Sequence, residues 1–219
     1  MLSLGAGQAQ AQGMTDATFW DTRYAESTAV WSGDVNAALR HEVSDLTPGT
    51  ALDLGCGEGG DAIWLAAQGW RVTAADISAV ALAKAAAHAA KAGVNVDFQC
   101  HDLGTSFPAG SYDLVSAQFL YPRGEVPRER ILLAAAAAVA PGGILLIEGH
   151  QDFGPFAEQH HAHGDIAFPE PDEVIAGLRL GEGEWQVLRA AKHDRLQNGP
   201  DGQPVHRTDS TVKLRRLPS

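Results

Sequence analysis

Basic residues, cysteines and long apolar runs are all scarce in this sequence. Lysine and arginine number 16 against 27 acidic residues among 219, which gives a formal charge of −11. Nucleic-acid binding uses dense basic clusters, so no nucleic-acid partner is expected. No run approaches the roughly 20 apolar residues that cross a bilayer, so no membrane association is expected. The two cysteines, Cys56 and Cys100, form no metal or redox motif, and we expect a reduced, cytoplasmic protein.

The remaining composition is that of an ordinary globular protein. Hydrophobic residues make up 45% of the chain, which argues against disorder. Residues 1–13 are rich in glycine, alanine and glutamine and lack the parts of a secretory signal, so we expect a disordered extension there. Residues 14–219 are interpreted as one domain, with a helical cap (14–48), a core (49–150), and a flap with C-terminal strands (151–219).

Apolar segments alternate with segments of helical periodicity through the core. This alternation predicts an α/β fold with a doubly wound, mostly parallel sheet and helices on both faces. Two later segments alternate polar and apolar residues around a turn-rich stretch, which predicts an antiparallel strand pair. The predicted strands are 50–54, 71–75, 94–100, 112–117, 144–148, 184–193 and 205–216, and the predicted helices are 19–24, 35–46, 60–68, 79–92, 127–140 and 170–178. A turn is predicted at 141–143.

A glycine-rich segment follows the first predicted strand. Gly55, Gly57 and Gly60 match the dinucleotide pattern G-x-G-x-x-G, and ligands of α/β sheets bind at the carboxyl ends of the strands. Asp53, however, places a carboxylate where a pyrophosphate would lie, and it would attract a cation or an amine instead. S-adenosylmethionine carries a sulfonium and an ammonium group and no phosphate, so it fits this loop better than NAD.

Two further acidic residues follow the next predicted strands. Asp76 ends the second strand, where a carboxylate can accept hydrogen bonds from both ribose hydroxyls. Asp102 follows the third strand, where a carboxylate can meet an adenine amino group. Either residue alone would also suit a turn or a helix cap. Three acidic residues at three successive strand ends favour a nucleoside ligand over that simpler interpretation.

The order and spacing of these segments match a family pattern. The matching residues are Asp53-Leu54-Gly55-Cys56-Gly57-Glu58-Gly59, Asp76, Asp102-Leu103, Tyr112-Asp113-Leu114-Val115 and Val139-Ala140-Pro141-Gly142-Gly143-Ile144-Leu145. They resemble the class I S-adenosylmethionine-dependent methyltransferases. The resemblance implies a Rossmann-like sheet of seven strands and S-adenosylmethionine as the cofactor. It also implies a set of cofactor-binding residues: Asp53, Gly55, Cys56, Gly57, Gly59, Asp76, Ile77, Asp102, Leu103, Gln118 and Phe119.

A second, shorter resemblance concerns the acceptor of the methyl group. The segment Phe19-Trp20-Asp21-Thr22-Arg23-Tyr24 with Trp31, together with Phe168-Pro169-Glu170 and Glu184-Trp185, is similar to the thiopurine and tellurite-resistance type of small-molecule methyltransferase. It implies transfer to a small molecule, such as a thiol or another soft nucleophile. The candidate substrate-binding residues are Trp20, Trp31, Phe153 and Phe168, and the candidate catalytic residues are His150, Tyr24 and Tyr121.

Several alternatives remain open at this point. A thiolate acceptor needs little help from a base, whereas an oxygen or nitrogen acceptor needs one, and His150 is either that base or an exposed loop histidine. The whole protein is alternatively an NAD-type oxidoreductase, a non-catalytic S-adenosylmethionine-binding protein or a protein methyltransferase. His160, His161 and His163 cluster, but no cysteine supports a metal site, and none is expected. Both a monomer and a homodimer fit the sequence.

Overall fold

Helices and strands alternate through the part of the chain that the computed structural model describes, namely residues 16–122, 128–152, 168–198 and 203–218. The helices in these ranges are α1 (Asp16–Ala25), α2 (Ala37–Val43), α3 (Gly60–Ala67), α4 (Ala79–Ala92), α5 (Arg128–Ala137) and α6 (Pro171–Gly177). The strands are β1 (Thr50–Leu54), β2 (Arg71–Asp76), β3 (Val96–Cys100), β4 (Tyr112–Gln118), β5 (Val139–His150), β6 (Trp185–Asn198) and β7 (Pro204–Arg216).

The strands form one sheet in the order β3-β2-β1-β4-β5-β7-β6. The first five strands pair in parallel, whereas β7 is antiparallel to both β5 and β6. The predicted mostly parallel, seven-stranded sheet with an antiparallel C-terminal pair is therefore confirmed. The chain order reverses at β1, which lies between β2 and β4, so the carboxyl end of β1 is the point where ligands of such sheets bind.

Two hydrophobic clusters cover the two faces of this sheet. One face packs against α2, α3 and α4, and its central side chains are Leu39, Ala62, Leu65, Leu82, Leu114 and Leu146. The other face packs against α5 and α6, and its central side chains are Leu52, Val115, Leu132, Leu145, Ile147 and Leu178. Neighbouring residues of a strand point to opposite faces, so Leu145 and Leu146 of β5 belong to different clusters.

Local sequence signals mark the ends of two helices. Ser78 caps α4, because its side-chain oxygen accepts a hydrogen bond from Ala81 N–H. Gly93 ends the same helix with a left-handed φ of +70°. Glu170 and Glu173 form a capping box at the start of α6.

The predicted boundaries near residue 140 were wrong. The structure ends α5 at Ala137 and begins β5 at Val139, before the predicted turn rather than after it. Val139 pairs with Tyr112, and the pairing resumes only at Ile144 opposite Leu114. The residues predicted as a turn therefore make an irregular excursion within the bounds of β5. The pairing of Val139, which a local turn signal does not reveal, places them inside the strand.

Other differences are small, and part of the prediction concerns residues outside the described ranges. Helix α2 is shorter than the predicted segment 35–46, and β6 is longer than the predicted segment 184–193. The predicted extension 1–13 and most of the predicted flap, residues 153–167, lie outside the described residues. Within the described ranges, no helix has the length and apolar character needed to span a membrane.

Candidate cofactor and acceptor site

The glycine loop turns sharply at the carboxyl end of β1. The N–H groups of Gly55 and Cys56 both donate to the carbonyl oxygen of Ala75 on β2, at 2.8 and 3.0 Å. Gly55 and Gly57 have φ values of +73° and +52°, which residues other than glycine rarely adopt. A Cβ on Gly55 would lie 2.8 Å from Leu120 Cδ1. The loop therefore offers bare backbone, as a closely approaching ligand requires.

Asp53 of β1 carries a buried oxygen that lacks a partner. The residue is 2% exposed, and its Oδ2 has no hydrogen-bond partner. Burial, followed by the nearby charges of Asp61 and Asp76, raises the pKa of Asp53 well above its usual range. A cationic group placed at Oδ2 would offset the free-energy cost of burying the ionised carboxylate. Asp53 is therefore suited to an ammonium or sulfonium ligand.

Asp76 and Cys56 hold the other side of the same loop. Asp76 accepts hydrogen bonds from Gly57 N–H at 2.8 Å and from Ser78 N–H at 2.9 Å, one on each oxygen. Each carboxylate oxygen can accept a second hydrogen bond, so ribose hydroxyls can still bind there. The Cys56 thiol is buried in the loop, and burial raises its pKa, so it stays protonated.

Three further predicted cofactor-binding residues lie at the end of β2 and after β3. Ile77 follows Asp76 directly, and its carbonyl oxygen lies 3.6 Å from Cys100 Sγ at the end of β3. Asp102 is exposed, and its Oδ1 accepts a hydrogen bond from Gly104 N–H at 3.0 Å. Leu103 is partly buried against the hydrophobic cluster. The carboxyl ends of β2 and β3 therefore bring these predicted residues to one edge of the sheet.

The helical cap is attached to the glycine loop by Glu58. This buried carboxylate accepts hydrogen bonds from the backbone N–H groups of Val30 and Trp31 at 2.9 and 3.2 Å, and Lys84 Nζ of α4 lies 3.0 Å away. Burial alone would raise the pKa of Glu58, but these hydrogen bonds outweigh it and lower the pKa. The sequence motif assigns no role to Glu58, and the structure shows that it anchors the cap.

Three of the predicted aromatic residues meet beside Gly57. Trp31 Nε1 donates to Tyr24 Oη at 3.0 Å, and the rings of Trp20 and Tyr24 lie 6.0 Å apart. A Cβ on Gly57 would lie 2.9 Å from Tyr24 Oη. Burial raises the pKa of Tyr24, so its hydroxyl stays protonated. Tyr24, Trp20 and Trp31 therefore lie at the glycine loop.

A second aromatic group forms where β4 and β5 end. The His150 ring stacks on Phe119 at 4.4 Å and on Tyr121 at 5.7 Å, and Phe168 meets Tyr121 edge to face at 6.4 Å. Phe119 has a φ of +52°, a strained conformation for a residue with a side chain. Its N–H donates to Glu148 O at 3.0 Å. Leu120, the residue between the two aromatics, reaches Gly55, so this group adjoins the glycine loop.

His150 is paired with a carboxylate from another strand. Its Nδ1 lies 2.8 Å from Oδ1 of the fully buried Asp209 of β7, and Arg195 Nε of β6 donates to Asp209 Oδ2. Burial alone would raise the pKa of Asp209, but the hydrogen bonds from His150 and Arg195 outweigh it and lower the pKa. Burial lowers the pKa of His150. The site therefore contains a neutral imidazole held by an ionised carboxylate.

Gln118 of β4 and Glu148 of β5 are buried polar residues that pair with each other in the sheet. Gln118 Nε2 donates to Ser116 Oγ at 3.1 Å, whereas its Oε1 has no partner. Glu148 Oε1 lies 2.6 Å from His193 Nε2, and Glu148 Oε2 accepts from Thr211 Oγ1 at 2.7 Å. Burial raises the pKa of Glu148 to about 7. An acceptor oxygen of Gln118 is thus left available at the predicted cofactor side of β4.

The structure thus brings the predicted residues to one edge of the sheet, in two adjoining groups. Phe153, together with His160, His161 and His163, lies outside the described residues. Within the described ranges, no group of three or more His, Cys, Asp or Glu is arranged to hold a metal ion. Sequence reasoning missed Asp209 and Arg195, because no motif marks a strand residue 59 positions after its partner.

The residues that form this edge of the sheet match a known protein family. Residues 51–143 match the family described as "Methyltransferase domain". These residues form a class I methyltransferase domain. The resemblance drawn from the sequence is confirmed, and the cofactor of this family is S-adenosylmethionine. The partnerless Oδ2 of Asp53 and the bare glycine backbone fit its charged amino-acid end, and Asp76 fits its ribose.

Two curated relatives match much of this chain. "Hemagglutinin 1" of Eikenella corrodens is 28% identical over 171 residues, which are 77% of this chain and 54% of that protein. "Ubiquinone biosynthesis O-methyltransferase" of Methylobacterium sp. (strain 4-46) is 35% identical over 158 residues, which are 69% of this chain and 60% of that protein. The chain therefore spans less than two thirds of the length of either relative.

Three solved structures match nearly the whole chain. A structure described as "Conversion of a Disulfide Bond into a Thioacetal Group during Echinomycin Biosynthesis" is 25% identical with a TM-score of 0.66, covering 92% of this chain and 93% of that one. NodS of Bradyrhizobium japonicum with S-adenosyl-l-homocysteine is 16% identical with a TM-score of 0.65, covering 93% and 99%. TehB of Haemophilus influenzae is 17% identical with a TM-score of 0.61, covering 92% and 67%. The last two show the fold alone.

Proposed function

We propose that this protein transfers the methyl group of S-adenosylmethionine to a small-molecule acceptor, with thiols and other soft nucleophiles as the first candidates. The observation that carries the proposal is the buried Asp53 oxygen without a partner beside the bare glycine loop. A pyrophosphate there would meet a carboxylate, whereas the ammonium group of S-adenosylmethionine would neutralise it. When bound, S-adenosylmethionine supplies a methyl group on a positively charged sulfur.

The chain's own residues then orient the reactants. In-line transfer depends mainly on holding the acceptor close and excluding water. Asp53, Asp76 and the glycine loop would hold the cofactor, while Tyr121 and Phe168 would provide flat apolar surfaces for the acceptor. The similar structure whose description names the conversion of a disulfide bond into a thioacetal group supports thiols as the first acceptors to test. Two free cysteines, Cys56 and Cys100, support a reducing, cytoplasmic location.

The deciding experiment compares two ligands on the full chain by calorimetry. We expect micromolar binding of S-adenosylhomocysteine and no binding of NADH. The Asp76→Ala variant should lose about 1–3 kcal/mol of that binding free energy. The ribose hydroxyls and the N–H groups of Gly57 and Ser78 would lose a buried acceptor. Asp97→Ala on the exposed side of β3 is the matched control and should bind as the parent does.

The outcomes separate the candidate functions. Binding of NADH alone would overturn the proposal and favour an oxidoreductase. Tight binding of S-adenosylhomocysteine with no transfer to any acceptor, beginning with a screen of small thiols, would favour a non-catalytic binding protein. Unchanged affinity in Asp76→Ala would mean that Asp76 does not bind the ribose, but it would leave the choice of cofactor unaffected.

A further inference from the structure

The pair formed by His150 and Asp209 is not among the residues expected to bind the cofactor. Asp209 is 0% exposed, and both of its oxygens are engaged, Oδ1 by His150 Nδ1 and Oδ2 by Arg195 Nε. An ionised carboxylate can only accept hydrogen bonds, so Nδ1 of His150 must carry the proton. The lone pair of the neutral imidazole then lies on Nε2, which has no hydrogen-bond partner in the described part of the chain.

The ring of His150 is also held in a fixed orientation. Phe119 and Tyr121 stack on it at 4.4 and 5.7 Å, with interplanar angles of 25° and 12°. The backbone N–H of His150 donates to Tyr121 Oη at 2.6 Å. The side chain remains 17% exposed. A ring that is held by two stacked aromatic rings and remains partly open can present its unprotonated nitrogen to a small molecule.

We propose that His150 is the general base of the methyl transfer and that Asp209 is its positioning residue. This inference rests on the proposed methyltransferase function and names the acceptor class. A base is useful only for an acceptor that is protonated at neutral pH. The acceptor is therefore a protic nucleophile, such as a phenolic hydroxyl or an alkyl thiol, and not one that is already ionised.

The proposed step balances without any further reactant. As a lone pair of the acceptor bonds to the methyl carbon, the carbon–sulfur bond breaks and its electron pair remains on sulfur. The acceptor's proton passes to Nε2 of His150. Asp209 stabilises the resulting imidazolium, as a buried carboxylate does for a catalytic histidine. The proton is released to solvent before the next turnover.

The charges around His150 keep it able to accept a proton. Burial and the guanidinium groups of Arg207 and Arg195 lower its pKa, while Asp209 opposes them. The titratable and charged groups that line this region from the neighbouring elements are Glu148 of β5, His193 and Arg195 of β6, Arg207 and Asp209 of β7, Arg128 of α5 and Tyr121 after β4. The imidazole is consequently neutral at pH 7.

The first test uses nuclear magnetic resonance on the full chain with ¹⁵N-labelled histidine and S-adenosylhomocysteine. The His150 signals are assigned by their loss in His150→Gln. We expect a neutral ring at pH 7 with the proton on Nδ1, and loss of this single tautomer in Asp209→Asn. A proton on Nε2, or a charged ring at pH 7, would overturn the proposal. This readout needs no acceptor and uses the unaltered protein for its decisive result.

The second test compares two probe acceptors, a phenol and an acidic aryl thiol that is already ionised. We expect His150→Gln to lower kcat for the phenol by about 100-fold or more, and kcat for the aryl thiol by only a few-fold. Asp209→Asn should act in the same direction and change the pH profile for the phenol with little change in KM. His206→Gln, an exposed histidine of the same strand β7 as Asp209, is the control and should be unaffected.

The failure of this inference can be told apart from failure of the proposed function. Equal losses on both acceptors would mean that His150 and Asp209 are structural, and the base role would be overturned. Failure to bind S-adenosylhomocysteine by calorimetry would instead overturn the methyltransferase proposal itself. If the cofactor product binds but neither probe is methylated, the tautomer of His150 decides: a proton on Nδ1 upholds the positioning by Asp209, and a proton on Nε2 refutes it.

Discussion

Asn36 holds Asp61 with two hydrogen bonds of 2.7 Å, one from its backbone N–H to Oδ1 and one from its side-chain amide to Oδ2. Asp61 lies in the first turn of α3, which begins in the glycine loop, and it is only 8% exposed. A Cβ on Gly60 would lie 3.0 Å from Asp34 O. The segment before α2 is therefore packed tightly on the loop, and we expect the stability of the cap and the shape of the loop to depend on each other.

The amide of Asn36 provides a direct test of this attachment. In Asn36→Ala the buried Oδ2 of Asp61 loses its partner, so we expect the free energy of unfolding to fall by about 1–3 kcal/mol. Urea denaturation measures this loss. Asn95→Ala removes an exposed amide before β3 and should stay within about 0.5 kcal/mol of the parent protein. Equal stabilities of the two variants would show that the cap is held by other contacts.

Asp53 should stabilise the complex and destabilise the free protein. Asn at this position keeps an acceptor for the N–H of Ala62 but removes a buried group that is unfavourable as an anion. We expect Asp53→Asn to raise Tm of the free protein at pH 8 by about 2–4 °C, which corresponds to about 1 kcal/mol. We also expect its affinity for S-adenosylhomocysteine to fall at least about tenfold. Thermal melts with and without the ligand measure both effects, and a lower Tm of the free variant would contradict the electrostatic argument.

The core of the fold was predictable because local signals and long-range packing agree there. Strand β1 and helix α4 have the bounds that the sequence predicted, since an apolar run, a capping serine and a terminal glycine all act within a few residues. The start of β5 was not predictable, because it depends on pairing between Val139 and Tyr112, which are 27 positions apart in the chain. Pairing partners of that separation leave no local pattern.

The positions of Asp53 and Asp76 were predictable from the sequence, whereas the position of Asp209 was not. Asp53 and Asp76 stand at the ends of consecutive strands, so their positions follow from the alternation of elements. Asp209, in contrast, lies in the middle of β7, where one polar residue among alternating ones carries no signal. Its role appears only when β7 is placed beside β5, which brings it opposite His150.

Glu148 should make stability depend on pH in a defined direction. Burial raises its pKa in the folded protein from 4.5 to about 7. Between these values the folded protein binds more protons than the unfolded chain, so stability falls as the pH rises from about 4.5 to 7. Glu148→Gln keeps an acceptor for Thr211 and cannot titrate. We expect the parent to lose about 1–3 kcal/mol more than this variant over that range.

Urea denaturation at pH 5, 6, 7 and 8 measures the difference between the two curves. Buried carboxylates that do not interact with Glu148 contribute to both curves alike and therefore cancel in the comparison. Glu182→Gln, at an exposed position, should leave the parent curve unchanged. Parallel curves for Glu148→Gln and the parent would mean that His193 keeps Glu148 ionised throughout.

Gly57 and Gly142 form a matched pair for testing the aromatic group at the loop. Both have positive φ values, +52° and +82°, so alanine strains either backbone by about 1 kcal/mol. Only at Gly57 does the added Cβ approach Tyr24 Oη, at 2.9 Å, whereas the space at Gly142 is open. We expect Gly57→Ala to weaken S-adenosylhomocysteine binding at least about tenfold and Gly142→Ala to leave it unchanged. Similar affinities in calorimetry would show that Tyr24 is not needed at the loop.

The position of β7 has a consequence for the order in which the protein folds during its synthesis. This strand follows β6 in the chain, yet it lies between β5 and β6 in the sheet. Lys213 of β7 also reaches back to Glu42, 171 positions earlier, with Nζ 3.1 Å from Glu42 Oε2. Contacts between such distant residues form late, because much chain must be ordered first. A nascent chain on the ribosome can therefore complete its glycine loop while His150 still lacks Asp209, so the residues proposed for the cofactor can be in place before the proposed base is.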